Sequence, residues 1–166
     1  MAAVEQFISE DVHPIDIVES LAEHREWNFD RIGEDQIAMA VEGKWRTYSI
    51  SLSWSAHDET LRLICTFEMA PPEARLAAVA QAIDMANDRL WQGCFTSWRA
   101  QGLMVWRYGL TLAGGAQATG GQVEAMLRGA VEACERFYPA FQLVGWGDET
   151  PEAAMAVAMA EAYGRA

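Results

Sequence analysis

The chain has 166 residues, an apolar fraction of 51%, seven tryptophans and a formal net charge of -12. That length suits a single domain over 1–166, since chains of this size bury about 70% of their unfolded surface, and the composition excludes a disordered or low-complexity protein. The charge argues against nucleic-acid and anionic-membrane partners, because Lys44 is the sole lysine and the arginines are scattered rather than gathered into a patch.

Residues 1–12 lack both the basic and the apolar part of a signal peptide and read as a loosely ordered segment ahead of the domain. No apolar run approaches a membrane span, so a cytoplasmic location is expected. Much of the acidity falls early: between Glu5 and Glu42 the carboxylates are answered only by Arg25 and Arg31. Such a surface maintains solubility, and it also suits a basic or aggregation-prone protein partner.

His13-Pro14 opens the first predicted helix, with proline at the first helical position and Ile15, Val18, Leu21 and Ala22 as its apolar stripe. A short strand follows over Trp27 to Ile32. From Gln36 to Met69 three antiparallel strands are legible. A two-residue turn at Gly43-Lys44, with glycine at positive φ, sets Val41, Met39 and Ile37 opposite Arg46, Tyr48 and Ile50. The next turn, Ser55 to Glu59, sets Trp54, Leu52, Ile50 and Tyr48 opposite Leu61, Leu63, Cys65 and Phe67. One face is then continuously apolar. The other carries Thr47, Ser49, Ser51, Ser53, Thr60, Arg62, Thr66 and Glu68, with Ile64 as the exception.

Pro71-Pro72-Glu73 starts a second helix, striped by Leu76, Val79, Ile83, Ala86 and Leu90 and ending near Trp91 to Gly93. A further hairpin pairs the strand at Cys94 to Trp98 with Leu103 to Leu112 across Arg99 to Gly102. Thr119 and Gln122 form a capping box for a third helix striped from Val123 to Phe141, in which Pro139 should bend or end the helix. Thr150-Pro151-Glu152 caps a last helix with Met155, Met159, Ala162 and Tyr163 on one side. The fold class is therefore α+β, a mostly antiparallel sheet of five to six strands with helices packed on it.

No residue pattern points to catalysis, a cofactor or a metal. Cys65, Cys94 and Cys134 are odd in number and set without close spacing in apolar patterns, which reads as buried reduced thiols. His57-Asp58-Glu59 puts three ligand types in one turn, where adjacent side chains diverge. The loop Gly114 to Gly121 joins a strand to a helix but lacks the lysine and glycine spacing of a phosphate loop. A small-molecule site or weak hydrolase at one of these two places is the alternative to a non-enzymatic interaction protein. The interaction reading rests on Trp45, Ile64, Trp98, Leu103 and Val105, which the predicted register places together on the outer sheet face. That face is either a contact surface for a partner or second subunit, or is covered by the first and last helices.

The segments His13 to Glu19, Asp35 to Gly43, Glu59 to Met69 and Tyr138 to Val144 resemble the YbjN family, and the likeness runs from about His13 to the C-terminus. The resemblance implies a regulator of bacterial sensory transduction. It also implies a fold similar to type III secretion chaperones, which are small acidic α+β proteins that commonly form homodimers. It carries over no catalytic residues.

Overall fold

The computed structural model describes residues 12–163. The expected loose segment at 1–12 lies outside them except for Val12.

Helix α1, Pro14–His24, starts where proline's fixed φ is already helical. His13 caps it, its Nδ1 accepting from the Ile15 amide at 3.1 Å. Strands β1 (Asn28–Arg31), β2 (Gln36–Glu42), β3 (Thr47–Ser55) and β4 (Thr60–Glu68) follow as an antiparallel meander. A 3-10 turn at Glu73–Arg75 leads into α2, Leu76–Asn87. Then come β5 (Cys94–Trp98), β6 (Leu103–Thr111), α3 (Gly120–Trp146) and α4 (Pro151–Tyr163). The six strands lie in the order β1-β2-β3-β4-β6-β5, and all neighbours are antiparallel.

The β3–β4 register matches expectation, with Trp54 opposite Leu61 and Ile50 opposite Cys65. The β2–β3 register does not. Val41 lies opposite Tyr48 and Ile37 opposite Leu52, two residues from the predicted pairing, because the turn is a four-residue loop, Gly43 to Arg46. Its ends are tied by the Gly43 amide donating to the Arg46 carbonyl at 2.8 Å. Gly43 is not among the residues at positive φ; it is needed because a Cβ there would sit 2.2 Å from Glu135 Oε1. The error was even, so the faces survived it.

The second helix also stops earlier than expected. The Asn87 side chain clamps the Phe95 backbone, its Oδ1 accepting from Phe95 N at 2.7 Å and its Nδ2 donating to Phe95 O at 3.1 Å. This turns the chain into β5. The α3 capping box is present in both halves, Thr119 Oγ1 accepting from Gln122 N and Gln122 Oε1 from Thr119 N. Pro139 does not end α3, which continues to Trp146. Beyond the proline, Ala140, Phe141 and Val144 are buried, and Phe141 meets Phe95 edge-to-face at 5.1 Å. Burial of this turn outweighs the lost helical hydrogen bond.

One core holds the molecule together. Ile37, Ile50, Leu52, Leu61, Leu63, Cys65, Phe67 and Trp106 from the inner sheet face join Ile15 and Val18 of α1, Val79 of α2 and Phe137 of α3. The last helix lies against α2 and α3 and contributes Ala154, Met155 and Ala158, while Ala162 is exposed and the Tyr163 side chain lies outside the described residues.

Candidate protein-contact surface

The helices all lie on one side of the sheet. Cover by the first and last helices was one of the two expected fates of the outer face, but they pack instead on the inner side or on other helices. Among the described residues, the outer face is therefore open. From β1 to β3 it is made of small and polar residues, Ala38, Ala40, Ser49 and Ser51, around a shallow depression of about 280 Å³ that Asn28, Asp30, Ile64 and Thr66 also line. From β4 to β5 it becomes larger and more apolar. Trp98 and Leu103 are register partners, and Val105 lies between Thr66 and Thr96. Val105 is 0% exposed although no described helix lies over it. Ile64 and Trp98 line a second groove of about 640 Å³ with Arg62, Cys94 and Arg107.

Four of the five predicted contact residues thus share one face: Ile64, Trp98, Leu103 and Val105. Trp45 does not join them. The two-residue shift puts it in the Gly43–Arg46 loop, where it lines a groove with Arg136 and Pro139 of α3 and Ala158 of α4.

That loop is held from a distant point in sequence. The Glu135 carboxylate accepts from Lys44 N at 2.9 Å, Trp45 N at 3.2 Å and Tyr48 Oη at 2.6 Å. Burial first, and then this hydrogen bond, push the Tyr48 phenol above its ordinary range. Nothing in the sequence marks Glu135 for this role, since it is one of several glutamates on α3.

The alternative sites are accounted for by local structure. In the His57–Glu59 turn, Asp58 Oδ2 accepts from Arg62 Nη2 at 2.6 Å, which holds its carboxyl below the usual range. Gly114 and Gly115, both at positive φ, form the turn between β6 and the α3 cap. No cluster of three metal-ligating side chains occurs among the described residues. His13, whose Nδ1 accepts from Ile15, donates from Nε2 to Asp35 Oδ1 at 2.9 Å and so ties α1 to the start of β2. Cys65 and Cys134 are buried with their Sγ atoms 3.6 Å apart, and Cys94 is half-buried.

The profile of the YbjN family, described as "putative bacterial sensory transduction regulator", matches residues 14–143. The chain belongs to the YbjN family. The crystal structure of YbjN from E. coli, described as a "putative transcription regulator", is similar at 11% identity with a TM-score of 0.55, covering 92% of this chain and 95% of that one. A chain of the HopA1-SchA chaperone-effector complex is 16% identical, covering 71% of this chain and 87% of its own length, with a TM-score of 0.44. No curated protein matches the sequence. In this YbjN-family chain, the matched segment begins at Pro14, the first residue of α1, and extends into α3, so it takes in the whole sheet and its open face.

Proposed function

We propose that this protein is a non-enzymatic, cytoplasmic interaction protein of bacterial regulation that forms a homodimer through the outer sheet face. The observation that carries the reading is the placement of the four described helices on one side, which leaves the half-buried Ile64, Trp98 and Leu103 on a six-stranded face with no described helix over them. Monomeric proteins seldom leave a sheet face with such residues open. The family's description as a regulator agrees with it. So does the net charge of -12, which disfavours nucleic acid and anionic membrane. No described helix is long and apolar enough to cross a membrane.

Sedimentation equilibrium on the wild type and an Ile64→Glu, Trp98→Ala double variant tests the reading. The wild type is expected to dimerise and the variant to do so about tenfold more weakly, with little change in melting temperature. A chain that stays monomeric at every accessible concentration, and that recovers no protein by affinity capture, would sink it.

A further inference from the structure

Along β6 the sheet is incomplete. Strand β4 pairs with β6 from Leu103 to Thr111, whereas β5 pairs with it only from Leu103 to Arg107. Beyond that point, among the described residues, no strand lies beside Tyr108, Gly109, Leu110 and Thr111 on the β5 side. Among the described residues, no backbone hydrogen bond from outside the sheet reaches them either. Alternate residues of an antiparallel strand direct their N–H and C=O groups to opposite neighbours, so this half-edge offers unpaired backbone over about 14 Å.

The surroundings favour a particular occupant. Trp91, just before β5, is 101% exposed, a costly place for an indole unless something stacks on it. The 640 Å³ groove opens at the same step, lined by Gly93 and Cys94 where β5 begins and by Arg107 and Gly109 where β6 continues alone. Arg107 has no hydrogen bond or carboxylate partner among the described residues, while Arg62 beside it is engaged by Asp58. In a chain of net charge -12, this is a local cationic spot next to open backbone.

We propose that Tyr108–Thr111 receives an extended segment of a partner protein as an added strand in line with β5. Its outward side chains are acidic and meet Arg107, and its inward ones are apolar and lie beside Tyr108 and Leu110. Main-chain pairing supplies the affinity, and the alternation supplies the specificity. The proposal rests on the protein-binding reading but uses an edge of the sheet rather than its face.

The probe is a dye-labelled peptide, Thr-Val-Glu-Val-Glu-Val-Thr, capped at both ends and titrated into the full chain by fluorescence anisotropy. Binding is expected, with slower modification of the Cys94 thiol by a disulfide reagent. Arg107→Glu should weaken it about tenfold through like-charge repulsion. Trp91→Ala should weaken it less, and both side chains are exposed enough for the variants to fold. Peptides with lysine for glutamate, or with alternate backbone nitrogens methylated, should not bind. Absence of binding, or binding indifferent to Arg107→Glu and to methylation, overturns the proposal. If Arg107→Glu abolishes self-association instead, a second copy occupies the edge, and the proposal is equally overturned. Failure here with loss of dimer in the Ile64, Trp98 variant removes the edge proposal and leaves the face reading standing.

Discussion

The hydroxyl of Tyr48 donates to Glu135 Oε1 at 2.6 Å, across 87 residues of sequence, and the same carboxylate takes the amides of Lys44 and Trp45. One side chain of α3 thereby closes the β2–β3 loop. Glu135→Ala would strand the part-buried phenol and release two exposed loop amides to water, at a cost of about 2–3 kcal/mol for the loss of three hydrogen bonds to one carboxylate. Thermal unfolding should then occur about 6–8 °C lower. Tyr48→Phe should cost less, since the carboxylate keeps both amides. Equal losses in the two variants would contradict this division.

Stability should decline in alkali for reasons carried by two named groups. Cys134, through its contact with Cys65 and then its burial, and Tyr48, through burial and then Glu135, have proton affinities raised above the ordinary 9.0 and 10.0. The folded state keeps protons that the unfolded chain releases. The stabilisation is complete below those ordinary values, falls as pH rises above them, and is lost as pH passes through the folded values. Each group adds a slope of up to about 1.4 kcal/mol per pH unit. Urea unfolding from pH 8 to 11 should show this decline first near the thiol range, and Tyr48→Phe should flatten its upper part. An unchanged slope in that variant would remove Tyr48 from the account.

Two glycines at positive φ should respond differently to alanine. Gly93 has φ +70, and a Cβ there would lie 2.2 Å from Trp106 Cζ2, in a ring that is 2% exposed and cannot withdraw. Gly102 has φ +65 but meets only Ala70 Cβ at 3.5 Å. Gly102→Ala should cost about 1 kcal/mol for the backbone alone. Gly93→Ala adds overpacking of about 1–3 kcal/mol. Chemical denaturation of both variants measures the difference, and similar values would mean that the Trp106 contact relaxes freely.

The two tryptophans once grouped on one face should now separate. Trp98→Ala should weaken self-association, while Trp45→Ala, on the α3–α4 side, should leave it unchanged and reduce stability by about 1 kcal/mol through lost packing. Sedimentation together with thermal melts distinguishes them. A loss of dimer in Trp45→Ala would return that residue to the contact surface.

Much of the architecture was legible because it is written in local periods. The alternation from Ile37 to Phe67 identifies strands and faces, and the caps at His13, Thr119 and Thr150 mark three helix starts that the structure retains. The placement of Ile64, Trp98, Leu103 and Val105 on one outer face followed from alternation alone. Trp45 was misplaced because a two-residue and a four-residue loop give the same alternation. The half-edge of β6 was invisible for another reason: strand lengths of five and nine residues become an open step only when β5 and β6 are seen side by side.

The sequence by itself determined which side chains face the core, since parity along a strand is a property of the backbone and survives any even shift. Tertiary structure decided the rest. Glu135 holds the four-residue β2–β3 loop from some ninety residues away. The burial of Phe141 and Val144 carries α3 past Pro139. Among the described residues, the gathering of the helices on one side leaves the opposite face and the β6 edge open, an outcome that depends on where distant elements pack and on no local pattern.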